Sequence, residues 1–406
     1  MKKILSFILA AVLVLALAAC GTATTPSDAD SGTSDAGTSQ TELAPHTIGV
    51  LVYNFGDDEV VAFRKYLMEY IGPAFNVTFL YSGNITSQEE EMEYIQQAID
   101  NGAEGIMSFI SQDLEAEVEL CAQNEVYYLL ASGTVSDEEF AKVEKNEYFL
   151  GAFGPGTFIE YKAGADMANH FASRKGSNEY FILSGGASLG NAMHQQRTQG
   201  MLDTLQTAYG VSFEKSSEEL ALTEVPVELE AGDLKICICP GYISRDEMFE
   251  TIKAEYIKHQ YENVMSALAI SRMADVVKGA KIGVVDCYSE TNLQLFNNGT
   301  LDYISGKYSS IIGPSFAAMY NAISGSAEEL RSSGNAFHIT QGFWSSENVE
   351  DYEEKYVLAS SLEMNAYNYE DLQQVIKVFN PDASLNDLKA LAEAYSFKDA
   401  VERRAK

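Results

Sequence analysis

The sequence predicts an α/β protein built from two doubly wound parallel-sheet lobes followed by a helical C-terminal extension. From His46 onward, short apolar runs alternate with helical patterns at about 22–30 residues per unit, the rhythm of βαβ units in a parallel sheet. The rhythm runs through twice, which calls for two sheets with a crevice between them. In addition, Tyr180–Leu183 runs through Ser184-Gly-Gly186 and Gly190 into a helix with Asn191 as its N-cap and Arg197 about two turns in. Ligands collect outside the carboxyl ends of strands and against helix N-termini, so this turn is a candidate wall of a ligand cleft.

The N-terminus precedes all of this. Lys2 and Lys3 form a basic region, Ile4–Ala19 an apolar one, and Leu17-Ala-Ala-Cys20 a small-residue cleavage site, so residues 1–20 read as a signal segment. An apolar run of 16 residues is short for a membrane-spanning helix. Residues 21–45 are almost all Gly, Ala, Ser, Thr, Asp and Pro, a composition that cannot bury a core and reads as a disordered tether. Its reach is roughly 25–30 Å.

Composition narrows the partners. With 27 basic and 59 acidic residues the chain carries a net charge of −32, which argues against nucleic acid and suits a monomer. Cys121, Cys237, Cys239 and Cys287 show no zinc spacing, and Cys237 and Cys239 share one strand face, a poor geometry for pairing with each other. All four read as small buried residues.

The first set of elements comprises strands at 46–54, 76–82, 104–110, 126–131 and 148–153, with helices at 57–71, 87–101 and 113–124. Ser87 and Glu90 form a capping box ahead of the second helix. The second set has helix 157–175, the strand at 180–183, the Arg197 helix to about Tyr209, strands at 235–239, 264–270 and 281–286, and helices at 246–259 and 272–278. Residues 368–380 and 384–404 read as two further helices around Asn380-Pro381-Asp382, within an extension spanning 357–406.

Several motifs now carry a resemblance. Leu17-Ala-Ala-Cys20 resembles a bacterial lipobox, which implies that Cys20 is lipidated and anchors the chain to the extracytoplasmic face of the cell membrane. Residues 46–356 resemble the type I periplasmic binding proteins, in the sugar-binding branch with the ribose- and galactose-binding proteins. Arg197-Thr-Gln-Gly200-Met is similar to the family's Arg-x-x-Gly-aromatic segment, and Lys281-Ile-Gly-Val-Val-Asp286 to the strand ending in its ligand-binding aspartate. Asn297-Asn-Gly-Thr-Leu-Asp-Tyr-Ile304 is similar to its passage into a hinge strand, and Ser345–Tyr352 to its closing segment.

The resemblance implies a three-strand hinge, with residues 46–153 and 308–335 in lobe I, 157–304 and 338–356 in lobe II, and crossings near Gly154, Ser305 and Ala336. It implies a small sugar-like ligand held by Arg197 and Asp286, with Asn54 and Phe55 supplying a polar group and a stacking aromatic and Phe153 another aromatic. Planar donors, carboxylate acceptors and aromatic faces are what a polyol needs. Ordinary core burial is the competing reading for each aromatic. It further implies a solute receptor of an ABC importer with membrane permease partners; a nucleoside-binding lipoprotein of the basic-membrane-protein group and a sensory receptor are the alternatives.

The sequence departs from the family at Ser271-Arg272, at Phe153-Gly-Pro-Gly156 and at Gly306-Lys307-Tyr308. Arg272 and Lys307 would favour a negatively charged ligand, or are surface residues; both readings stay open. No enzyme, cofactor or metal is expected. His46, His170, His194, His259 and His338 are scattered, Gly185–Gly190 lacks the G-x-G-x-x-G order, and no nucleophile–histidine set can be placed.

The anchoring expectation has a direct test. Cys20→Ala should abolish fatty-acid labelling of the chain in cells, and equal label on both proteins would show that this cysteine is not acylated.

Overall fold

The computed structural model describes residues 43–174, 176–187 and 191–405. The signal segment, Cys20, most of the tether and Gly190 lie outside the described residues.

Among the described residues, thirteen strands form two sheets. In the first, β1 (His46–Leu51), β2 (Val77–Tyr81), β3 (Gly105–Ser108), β4 (Tyr127–Leu130) and β5 (Phe149–Gly154) line up parallel as β5-β4-β3-β1-β2. These strands are apolar on both faces because helices cover both, which is why they read as continuous runs. In the second sheet, β6 (Glu179–Ser184), β7 (Val227–Ala231), β8 (Leu234–Pro240), β9 (Asn263–Ser266), β10 (Lys281–Cys287) and β11 (Leu301–Lys307) run in the order β11-β10-β9-β6-β8-β7. Parallel pairing joins all but β7, which pairs antiparallel to β8.

Two last strands complete the sheets. β12 (Phe337–Thr340) joins the first beside β5, and β13 (Trp344–Ser346) joins the second antiparallel to β11. Here the expected boundary shifts. Residues 338–340 were assigned to lobe II, but Phe337 and Ile339 bury themselves against the first sheet while His338 and Thr340 stay exposed. That alternation fits a sheet edge, so the third crossing falls at 341–343 rather than near Ala336. The other two crossings follow β5, at Gly154-Pro155, and β11, at Lys307-Tyr308.

Local signals explain most helix ends. Asp57 caps helix Asp58–Lys65, accepting from the Glu59 amide. Ser87 caps Gln88–Asp100 through the Glu90 amide, but the Glu90 carboxylate turns back to Thr86 instead of Ser87, so the expected box is half formed. The expected 272–278 helix is one turn, Ser271–Met273. In the extension, Tyr369–Gln373 is a short helix, and the second expected helix is split into Leu385–Glu393 and Phe397–Arg404. The split comes from Ala394 leaving helical geometry and Ser396 opening a fresh capping box with Asp399. The four cysteines from Cys121 to Cys287 are free and buried.

One packing contact bears on the cleft. Helix Gly156–Ala172 crosses helix Ala192–Tyr209 at glycines on both sides. A Cβ on Gly164 would lie 1.9 Å from the Arg197 carbonyl oxygen, and one on Gly200 would lie 2.0 Å from that of Tyr161. Only the bare backbone allows this approach. Gly164→Ala and Gly200→Ala should each lower stability by about 1–3 kcal/mol, read as an earlier urea midpoint at an unchanged slope; an unmoved midpoint would mean that the helices part without cost.

Candidate functional site

The carboxyl ends of the two sheets face each other. Lys307, the last residue of β11, puts Nζ 3.1 Å from Glu59 Oε1 on helix Asp58–Lys65 of the first lobe. Thr134, beyond β4, donates to Glu160 Oε1 on helix Gly156–Ala172 of the second lobe at 3.3 Å. The crevice between these contacts is the candidate site, as expected for strand ends in open sheets.

Asp286, next to last in β10, keeps partial contact with solvent. Its Oδ2 accepts from Asn292 Nδ2 at 2.9 Å. Burial pushes its carboxyl up to about 7, Asn292 pulls against this, and the charges of Asp57, Glu59 and Asp58 push it further. Those three belong to the start of the first helix of the other lobe, so carboxylates face carboxylate across the crevice. Asp57 is itself raised, by burial and then by Glu59. Tyr53, after β1, is 37% exposed, yet burial, Glu59 and Asp57 raise its phenol well above its usual value. One side of the ring meets water while the hydroxyl sits among acids. In the sequence, acidic residues at the start of a helix read as favourable to the helix dipole, and nothing in them marks a site.

Arg197 lies in the second lobe's wall and is 6% exposed. Its Nε donates to Glu160 Oε2 at 2.5 Å, and its Nη1 donates to the Ala267 carbonyl, just past β9, at 2.7 Å. Glu160 is fully buried, so the guanidinium's charge is matched within the protein. Sequence reasoning misses Glu160 because a lone glutamate in a helix reads as solvated, and its partner is 37 residues away. Beside this pair, His194 accepts from or donates to Tyr242 Oη at 2.9 Å, and burial, then Arg197, holds its pKa well below the usual value. It is a neutral imidazole at neutral pH.

The remaining expected residues divide. Asn54 is half-buried and its Oδ1 accepts from the Gly56 amide, bracing its own turn. Phe55 is 39% exposed, with the Arg64 guanidinium 3.7 Å above its ring and Tyr81 edge-on at 6.1 Å. Phe153 departs from expectation: it is fully buried and packs edge-on against Phe337 at 5.2 Å, in the core of the first lobe. Lys307 is 5% exposed, which removes its surface reading. Arg272 donates to the Ile243 carbonyl and Asp246 and covers Phe249, so its side chain is tied to the loop after β8 and the helix that follows it. A depression of about 510 Å³ lined by Glu119, Gln123, Lys145 and Tyr148 lies near the starts of β4 and β5, the opposite edge of the first sheet from the crevice.

The raised Asp286 pKa has a stability consequence. Its folded value lies above the unfolded value of about 3.9, so ionisation favours unfolding and stability drops as pH rises from about 4 to about 7. Asp286→Asn should gain up to about 4 kcal/mol over wild type at pH 8 and nothing at pH 4. Denaturant titrations at both pH values are the check, and equal stability at pH 8 would mean a solvated carboxylate.

No protein-family model and no curated protein matches the chain. Solved structures do match it. The periplasmic binding protein of the arabinose ABC transporter from Shewanella sp. ANA-3 superposes with a TM-score of 0.55 at 12% identity, covering 76% of this chain and 94% of that one. A galactofuranose-binding protein gives 0.56 at 11%, covering 78% and 98%. A carbohydrate transporter from Acidothermus cellulolyticus 11B in complex with myo-inositol gives 0.54 at 17%, covering 78% and 99%. Two parallel-sheet lobes with their strand ends facing and three crossings between them are the fold of the type I periplasmic binding proteins, and this chain has that fold.

Proposed function

We propose that the protein is an extracytoplasmic solute-binding lipoprotein of an ABC importer, anchored through Cys20, that takes a small polar ligand of the sugar type into the interlobe crevice. The solved structures of this fold include proteins described as arabinose- and galactofuranose-binding and one holding myo-inositol, which supports a polyol. The observation that carries the reading is Asp286 at the end of β10, opposite Asp57, Asp58 and Glu59. Carboxylates accept hydrogen bonds from hydroxyls, and a hydrogen bond to an ionised group contributes about 1.5–3 kcal/mol.

The balance of charge also bears on ligand class. Arg197 is matched by Glu160 and Lys307 by Glu59, so neither cation stands ready for an anion. Asp57 and Asp58 form no ion pair among the described residues, and beside Asp286 they disfavour sugar acids and phosphates and suit a neutral or aminated polyol. Lobe closure around the ligand is the hinge motion that would present the bound form to permease subunits.

A thermal-shift screen of neutral sugars, inositols, amino sugars, sugar acids and nucleosides tests this. A neutral or aminated polyol should stabilise the protein, by about 2.7 kcal/mol at a concentration of 100 times Kd. Asp286→Ala should then weaken that ligand at least about tenfold, a loss of about 1.4 kcal/mol. Stabilisation by sugar acids or phosphates alone would overturn the proposal.

A further inference from the structure

The extension at 357–406 has no part in either sheet, yet it reaches the crossings between them. It is tied first to lobe I. Tyr66 Oη donates to the Tyr367 carbonyl at 2.8 Å, and Tyr70 Oη accepts from the Tyr369 amide at 3.1 Å. Tyr367 Oη in turn donates to the carbonyls that end helix Leu385–Glu393, at 3.1 Å for Leu391 and 3.3 Å for Ala392. Arg403 folds over the Tyr367 ring and donates to the Ala394 and Ala366 carbonyls. These bonds make the extension a rigid appendage of the first lobe.

From that base, residues 394–397 reach the hinge. The Tyr395 carbonyl accepts from Tyr308 Oη at 3.0 Å and from Trp344 Nε1 at 2.7 Å. Tyr308 follows the second crossing, and Trp344 opens β13 just after the third, so a single carbonyl holds two of the three crossings. The rings of Tyr308 and Trp344 stack at 3.9 Å, and Phe397 meets Trp344 edge-on at 5.2 Å. Gly342, within the third crossing, is covered by the Tyr395 ring: a Cβ there would lie 2.6 Å from Tyr395 Oη. Gln341, in the same crossing, donates from Nε2 to the Ile311 carbonyl at 3.1 Å and that of Ala392 at 3.4 Å. On the far side, Lys355 of the second lobe lies 5.8 Å from the Phe397 ring centre.

We infer that the C-terminal extension is a clasp on the hinge: anchored to lobe I and bonded to the crossings that lead into lobe II, it sets the angle between the lobes. Rotation of lobe II carries Trp344 away from a Tyr395 carbonyl that lobe I and the Tyr308 hydroxyl hold still, so opening requires the Trp344 donor to leave and its stack on Tyr308 to part. The inference concerns the chain's own conformational equilibrium and stands whatever ligand the crevice takes.

The test labels two exposed positions at the outer ends of the sheets, Lys145→Cys and Glu262→Cys, and reads the interlobe distance by pulsed electron resonance without ligand. The four described native cysteines are buried. With the clasp intact, one narrow distance is expected. Tyr308→Phe with Trp344→Phe removes both donors and should broaden the distribution or shift its mean by more than about 2 Å. An unchanged distribution in the folded double variant overturns the clasp. If the double variant does not fold, Tyr308→Phe alone is measured in the same way. Hydrogen exchange at the indole of Trp344, the chain's single tryptophan, is then followed in the otherwise native protein. Strong protection that weakens in Tyr308→Phe supports the clasp, and exchange as fast as in free indole overturns it.

Discussion

The arrangement of the molecule depends on how charge is disposed where the two sheets meet. Strand ends and helix starts from both lobes converge on one crevice, and several of the side chains they bring are ionisable. Burying a lone charge is expensive, while a buried pair is tolerated when geometry and extra hydrogen bonds compensate. Arg197 with Glu160, and Lys307 with Glu59, meet that condition, and each pair is built from different elements. Asp286 has no cation partner among the described residues and answers instead by a raised pKa. The pairs settle the walls, and the unpaired carboxylate is left to the crevice.

Much of this fold was readable because parallel strands covered on both faces leave unbroken apolar runs. The elements that escaped are those without that covering. β7 alternates Val227 and Leu229 with Glu228 and Glu230 and forms a hairpin with β8, a period-two pattern easily lost in an acidic stretch. β12 goes unread, and the lobe II range that begins at 338 takes in most of it, because four residues with alternating exposure do not say which sheet edge they complete. The break between the last two helices lay in Ser396 and Asp399, a capping box inside what reads as one periodic run.

The site was legible in position more than in chemistry. Arg197 and Asp286 could be located from the strands and turns around them, since strand ends collect functional groups. Asn292 reaches Asp286 from the start of the next helix. The partner of Arg197 could not be located, because Glu160 lies 37 residues away and becomes a neighbour only through folding. The same holds for Lys307, whose burial depends on a glutamate 248 residues away in the other lobe. Phe153 shows the converse: an aromatic at a crossover reads as a ligand face until the edge strand that covers it, β12, is in place.

The three crossings are not equivalent, and this shapes how the lobes can move. The first ends β5 at Gly154, where a Cβ would lie 1.8 Å from the Gly133 carbonyl oxygen, and passes at once into Pro155 with φ −66°. Close backbone packing and a locked φ leave little torsional slack there. The second and third crossings have no proline, the third includes Gly342, and these are the two that the extension contacts, through Tyr308, Gln341, Gly342 and Trp344. Restraint is thus supplied by backbone chemistry at one crossing and by side-chain packing at the others. A hinge of this kind bends where packing can yield, so opening works against the contacts of the extension and the Lys307–Glu59 and Thr134–Glu160 bonds between the lobes more than against the covalent geometry of the strands.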